Sequence, residues 1–170
     1  MSAGTKESLA LSGHRINVLE ERKPAKLCSL DVKNNKVVHW VIKPFSIEHD
    51  AKEPFGYLMS SSRGGKLAYI TDSFYSRYNF QELTHLMIEC NYAKDILDEN
   101  VRSGRVPASR KKRVIQSHFS LENVKEFLRA NDLSQLQEIW LLHLSSDNSD
   151  AERFKREIQQ LAGIPVYIAE

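Results

Sequence analysis

The chain has 170 residues, 41% of them hydrophobic, and 24 lysines and arginines against 22 aspartates and glutamates leave a net charge of +2. That is enough apolar material for one sizeable core, while the charge is too small to imply a nucleic-acid partner by itself. No run reaches the roughly 18 consecutive apolar residues of a membrane-spanning helix, and the N-terminus lacks the apolar stretch of a secretory leader.

In chain order, residues 4–12 (GTKESLALS) suit a short helix that Gly13 can stop, INVLEE (16–21) reads as a short strand, and KPAKLCSLD (23–31) as a polar connection. KVVHWVIKPFSI (36–47) holds two β-rich pieces, KVVHWVI and FSI. FGYLMSSS and KLAYIT form a hairpin across SSRGGK, where Gly64 and Gly65 supply turn geometry. THLMIEC (84–90) is a further apolar strand, and YAKDILDENVRSG a helix ending at Gly104. SLENVKEFLRAN takes Ser120 as N-cap, with Leu121, Val124, Phe127 and Leu128 at helical spacing. EIWLLHLS is a buried strand, AERFKREIQQLAG a helix and PVYIAE a last strand. Strands alternating with helices give an α/β layered class. Cys28 and Cys90 stand far apart outside any C-x-x-C context, which is the usage of reduced thiols in a cytoplasmic chain.

Three side chains able to bind metal come directly after expected strands: His49 after KPFSIE, Asp72 after KLAYIT and His143 after EIWLL. Imidazole and carboxylate are the ligand types of zinc and manganese sites, and a strand end is a rigid platform for them. For each residue taken alone the competing reading is structural: a bonded loop histidine, an aspartate opening a turn, a core histidine. The surrounding blocks decide between the readings. FSIEHDAKEPFGYLM, AYITDSF and LLHLSSDNS, in this order, resemble the C-terminal half of the metallo-β-lactamase fold, in the branch of RNase Z and of phage and bacterial phosphodiesterases and exonucleases. The resemblance covers about residues 36–170 and implies a partial αββα sandwich, a single domain over 1–170 that is N-terminally incomplete. The family's His-x-His-x-Asp-His signature occurs nowhere in the chain.

The resemblance implies that His49, Asp72 and His143 are metal ligands, with Asp72 bridging two zinc or manganese ions in the intact family site. It implies that His118, in VIQSHFSLENV, is a non-ligand histidine beside the scissile phosphate, supported by Ser120. It further implies that Glu89, in MIECNY, is the carboxylate that orients His118. Asp50 can anchor a neighbouring imidazole or simply cap a turn, Asn91 and Tyr92 can line the pocket, and His14, His39 and His85 match no ligand. Arg102, Arg105, Arg110, Lys111, Lys112 and Arg113 place six cations within twelve residues just before His118. They are either a solvated face or a phosphate-neutralising patch.

The function implied is a metal-dependent phosphodiester hydrolase acting on nucleic acid or a cyclic nucleotide, with no membrane partner and a homo-oligomer compatible with it. The alternative is a non-catalytic remnant or interaction module without a working bimetal site. No G-x-S-x-G elbow, phosphate-binding glycine loop or dinucleotide fingerprint supports a different chemistry.

Overall fold

The computed structural model describes residues 1–13 and 16–169. Seven strands form one sheet whose spatial order matches the chain order: β1 (Ala25–Asp31), β2 (Lys36–Ser46), β3 (Phe55–Ser61), β4 (Lys66–Ile70), β5 (His85–Glu89), β6 (Glu138–Leu142) and β7 (Val166–Ile168). Helix α1 (Ala3–Ser8) precedes the sheet; α2 (Lys94–Arg102), α3 (Ala108–Ser117) and α4 (Leu121–Ala130) connect β5 to β6; α5 (Ala151–Ala162) connects β6 to β7. The α/β class expected from the alternation of elements is the one observed. No helix among the described residues is long and apolar enough to cross a membrane.

Strand direction decides where the strand ends fall. Strands β1 to β4 pair antiparallel, whereas β4 to β7 pair parallel. Both β2 and β4 run opposite to β3, so they point the same way. The C-terminal ends of β2, β4, β5 and β6 therefore lie along one edge of the sheet.

Side chains alternate across a pleated sheet, and among the described residues only one face is covered. Ala68, Ile70, Leu86, Ile88, Ile139, Leu141 and Val166 point into the main core. Leu121, Val124 and Leu128 of α4 and Phe154 and Ile158 of α5 close that core from the helix side. The helical spacing read in α4 is thus the spacing of its buried stripe, and Ser120 caps it by accepting the Asn123 N–H at 3.1 Å. Asp150 caps α5 in the same way, and Gly163 ends it in a left-handed conformation at φ 70°. The opposite face carries Leu27, Trp40, Met59, Leu67, Met87, Trp140 and Tyr167, none of them fully buried. It is an aromatic and aliphatic surface without a covering layer among the described residues, and Trp140 stacks on Tyr167 there at 4.9 Å between ring centroids.

Two local expectations are corrected. INVLEE forms no strand; its place at the sheet edge is taken by KPAKLCSLD, whose seven residues Ala25–Asp31 pair with Ile42–Lys36. Cross-strand pairing to a β-rich neighbour overrides the polarity of that segment. The two β-rich pieces of 36–47 are one strand running through Pro44, which pairs opposite Tyr57. The basic segment before His118 is in good part helical, as α3. The expected hairpin between β3 and β4 is present, with Gly64 and Gly65 at φ 88° and 96°.

The difference between the faces is measurable. Leu86→Ala, on the covered face, is expected to cost about 2–5 kcal/mol in urea unfolding, whereas Leu27→Ala on the open face costs under about 1 kcal/mol. Equal costs would show that something covers the open face in solution.

Candidate metal centre

The residues singled out for chemistry gather at the sheet edge defined above. His49 lies just past the end of β2, Asp72 just past β4, Glu89 ends β5, and His143 comes directly after β6. His118 arrives by another route, as the C-cap of α3. The segment after it runs beside the extension of β5, with Asn91 N–H bonded to the Phe119 carbonyl at 2.9 Å and a parallel bridge between Tyr92 and Ser120. Ligands outside the carboxyl ends of parallel strands are the general rule for sheets of this kind.

Glu89 is the centre of the arrangement. Its side chain is fully buried, and both oxygens are engaged. Oε1 accepts from His118 Nδ1 at 2.7 Å and from His143 Nδ1 at 2.7 Å. Oε2 accepts the backbone N–H of Ser73 at 3.0 Å and of Phe119 at 3.3 Å. A carboxylate offers about four lone-pair positions, and four donors use them. Glu89 thus contacts two imidazoles rather than the one read from the sequence. With Nδ1–H committed to Glu89, each ring turns its Nε2 away from the carboxylate, the arrangement that carboxylate–histidine pairs give to metal-binding or proton-carrying imidazoles.

Asp72 lies against this pair, with Oδ1 3.2 Å from His143 Nδ1 and Oδ2 accepting from Thr71 Oγ1 at 3.2 Å. One potential donor atom from each of Asp72, Glu89, His118 and His143 lies within 4.8 Å of the others. His49 stands beside the group, its ring 5.9 Å from that of His118, which is in turn 5.2 Å from that of His143. His49 Nδ1 donates to the Ser117 carbonyl at 3.3 Å, and its Nε2 is 3.2 Å from Asp50 Oδ1. The anchoring role suggested for Asp50 corresponds to this contact.

The chemistry of these donors suits a divalent cation: a carboxylate and oriented imidazoles converge from separate rigid elements on one edge. Two of these positions carry backbone strain, as Ala10, Arg22, Asn35 and Glu82 do elsewhere. Asp72 and His143 adopt φ of 50° and 53°, a left-handed conformation that costs a non-glycine residue on the order of 1–3 kcal/mol. Each turns the chain sharply after a parallel strand and aims its side chain at the cluster.

Other side chains fall into place around it. Asn91 donates to the His143 carbonyl at 2.7 Å and accepts the Ser145 N–H through its own carbonyl at 2.9 Å, so it shapes the turn after β6. Tyr92 does not line the site; it is buried with Leu97 and Val106 under α2, and burial pushes its phenol up to about 12. His39 contacts exposed Cys28 across β1 and β2, and His85 contacts Thr84 and Glu138, both outside the cluster. His14 lies outside the described residues. The Ser73 and Phe119 amides that complete the Glu89 shell have no counterpart in the motif reading, because backbone donors carry no residue signature.

No protein-family model matches the chain, and no curated protein does. Among solved structures, human tRNase Z in its short form is similar at a TM-score of 0.46 and 17% identity, over 84% of this chain and 47% of that one. The chain spans about half the length of that structure.

The hydrogen bond to Glu89 raises the His118 pKa above its ordinary value; partial burial opposes the shift, and the charges of Glu89, Asp72 and Asp50 add to it. A histidine with a raised folded-state pKa contributes stability that is full below the unfolded value of 6.5 and is lost as pH rises through the folded value. In the metal-free chain, the thermal midpoint is expected to fall as pH rises from 6.5 through that higher value. Glu89→Gln should flatten this slope. A slope retained in that variant would assign the effect to another group.

Proposed function

We propose that the chain carries the metal centre of a phosphodiester hydrolase of the metallo-β-lactamase kind. The observation that carries the reading is the shared Glu89 carboxylate, which orients His118 and His143 beside Asp72 at the C-terminal edge of parallel strands. The resemblance of the blocks around His49, Asp72 and His143 supports the same reading.

Asp72, His143 and His49 are the residues that would hold divalent metal, zinc or manganese. The bound ion supplies Lewis acidity and a water acidic enough to be a nucleophile near neutral pH. Glu89 keeps the His143 ring in one tautomer and orientation. It does the same for His118, whose Nδ1–H is taken, so a proton to be passed to a leaving oxygen sits on Nε2. The Ser117 carbonyl holds His49 Nδ1, so Nε2, which faces Asp50, is the nitrogen that would turn to the metal. The substrate is a phosphodiester, of a nucleic acid or of a cyclic nucleotide. The chain is read as one domain, 1–170, that presents part of the family's ligand set.

Two measurements test the reading. Purified chain loaded with Zn²⁺ or Mn²⁺ should retain metal by elemental analysis and hydrolyse bis(4-nitrophenyl) phosphate; Asp72→Ala and His143→Ala should lose both properties while keeping the fold. His118→Ala should retain metal but lose about 10²–10⁴-fold in turnover, the range of a general acid. Glu89→Gln should weaken metal binding by about 10–100-fold, as loss of an orienting partner does. Retained metal without turnover would reduce the site to a binding module, and no metal at all would favour the non-catalytic alternative.

A further inference from the structure

The basic run before His118 divides once its partners are known. Lys111 pairs with Asp98, and Arg102 pairs with Glu99, so these cations are neutralised within the α2–α3 region. Arg105, Arg110 and Lys112 have no ion-pair partner among the described residues, and of these only Arg110 shares the α3 face of Arg113. Among the described residues Arg113 has only a long contact, Nη2 to Asp50 Oδ2 at 3.7 Å, and its side chain is 79% exposed.

The helix that carries them is aimed at the metal centre. Its last residue, Ser117, accepts from His49, and His118 caps it. Residues three, four and seven apart share a helix face, so Arg113 and Arg110 lie on the face that ends at Ser117. They stand five and eight residues before His118, about 7.5 and 12 Å back along the axis at 1.5 Å per residue. The contact through Asp50 ties this face to His49, because the other Asp50 oxygen is 3.2 Å from His49 Nε2.

Two arginines next to a centre built for a divalent cation add like charge to like charge. An anion that reaches from the centre to the helix removes that conflict, and a guanidinium fork suits a phosphate with two parallel N–H···O bonds. We propose that Arg113, with Arg110 one turn earlier, holds a second phosphate group of the substrate while the first lies at the metal centre. The site then takes a substrate with at least two phosphates: a polynucleotide strand, or a cyclic dinucleotide. This inference rests on the hydrolase reading for the identity of the first phosphate only. Asp50 is the competing anion, and the second phosphate displaces its long contact with Arg113.

The test is binding to the whole chain loaded with Zn²⁺, with phosphorothioate linkages in both probes to slow their cleavage. Fluorescence anisotropy tracks a labelled hexathymidylate, and cyclic di-adenylate serves as a second probe, both over a range of salt. Each phosphate contact to a single strand contributes about 0.7 to the slope of log K against log salt. Arg110→Ala/Arg113→Ala should lower the hexathymidylate slope by about 0.7 and weaken binding at low salt, with an unchanged circular-dichroism melt. Lys155→Ala/Arg156→Ala on α5 should leave the slope as in the wild type. An effect on hexathymidylate assigns the phosphate to a strand, and an effect on cyclic di-adenylate alone assigns it to a cyclic dinucleotide. No effect on either probe, or an equal effect from the α5 variant, overturns the proposal. Wild-type turnover of bis(4-nitrophenyl) phosphate, a single-phosphate substrate, tests the hydrolase reading separately. An altered slope without turnover would leave an anion site and no hydrolase; turnover with an unaltered slope would leave a hydrolase and no second phosphate site.

Discussion

A buried carboxylate with every lone pair occupied is the constraint on which the rest of this structure depends. Glu89 is taken out of water at the end of β5, and an unpartnered charge there would be too costly to keep. It is compensated by donors from three separate places: the turn after β4 through Ser73, the approach to α4 through His118 and Phe119, and the end of β6 through His143. Those donors hold only if the crossover from β4, the long excursion through α2 and α3, and strand β6 all return to one point. The same bonds that make the burial tolerable aim two imidazoles outward. Stability and site geometry are thus set by one group.

The left-handed backbone at Asp72 and His143 belongs to the same logic. Each residue turns the chain immediately after a parallel strand, where an extended path would carry the side chain away from the edge. The strain is tolerated because neighbours fix the turns. Asn91 bonds the His143 carbonyl and the Ser145 amide, and Thr71 bonds Asp72.

Much of this is legible in the sequence, and the reasons differ by element. Strands β3 to β7 and helices α2, α4 and α5 carry strong apolar patterning with clear caps or turns, such as Ser120 and the Gly64–Gly65 pair. The β1 segment escapes such a reading because its residues Lys26, Cys28 and Ser29 look like a connection; only the partner strand makes it β. At the site, residue types and order point to His49, Asp72, Glu89, His118 and His143, and the structure brings the last four together with His49 alongside. That Glu89 serves two histidines is not legible, because the pairing of β5 with β6 sets the distance between Glu89 and His143 and no spacing along the chain encodes it. The helical state of the basic segment is masked by its charge, and with it the direction in which those cations point.

In a sheet whose strands are ordered as they occur along the chain, each strand pairs with the one that precedes it in sequence. The hairpin joins and the β4–β5 crossover close over modest lengths, so the entropy of bringing their ends together is small. The step that spans the most chain is the return of β6 to β5 after α2, α3 and α4. That return carries both His118 and His143 to Glu89. Closing the longest loop of the sheet therefore also completes the cluster, bringing two imidazoles to the carboxylates of Asp72 and Glu89 that β4 and β5 already present.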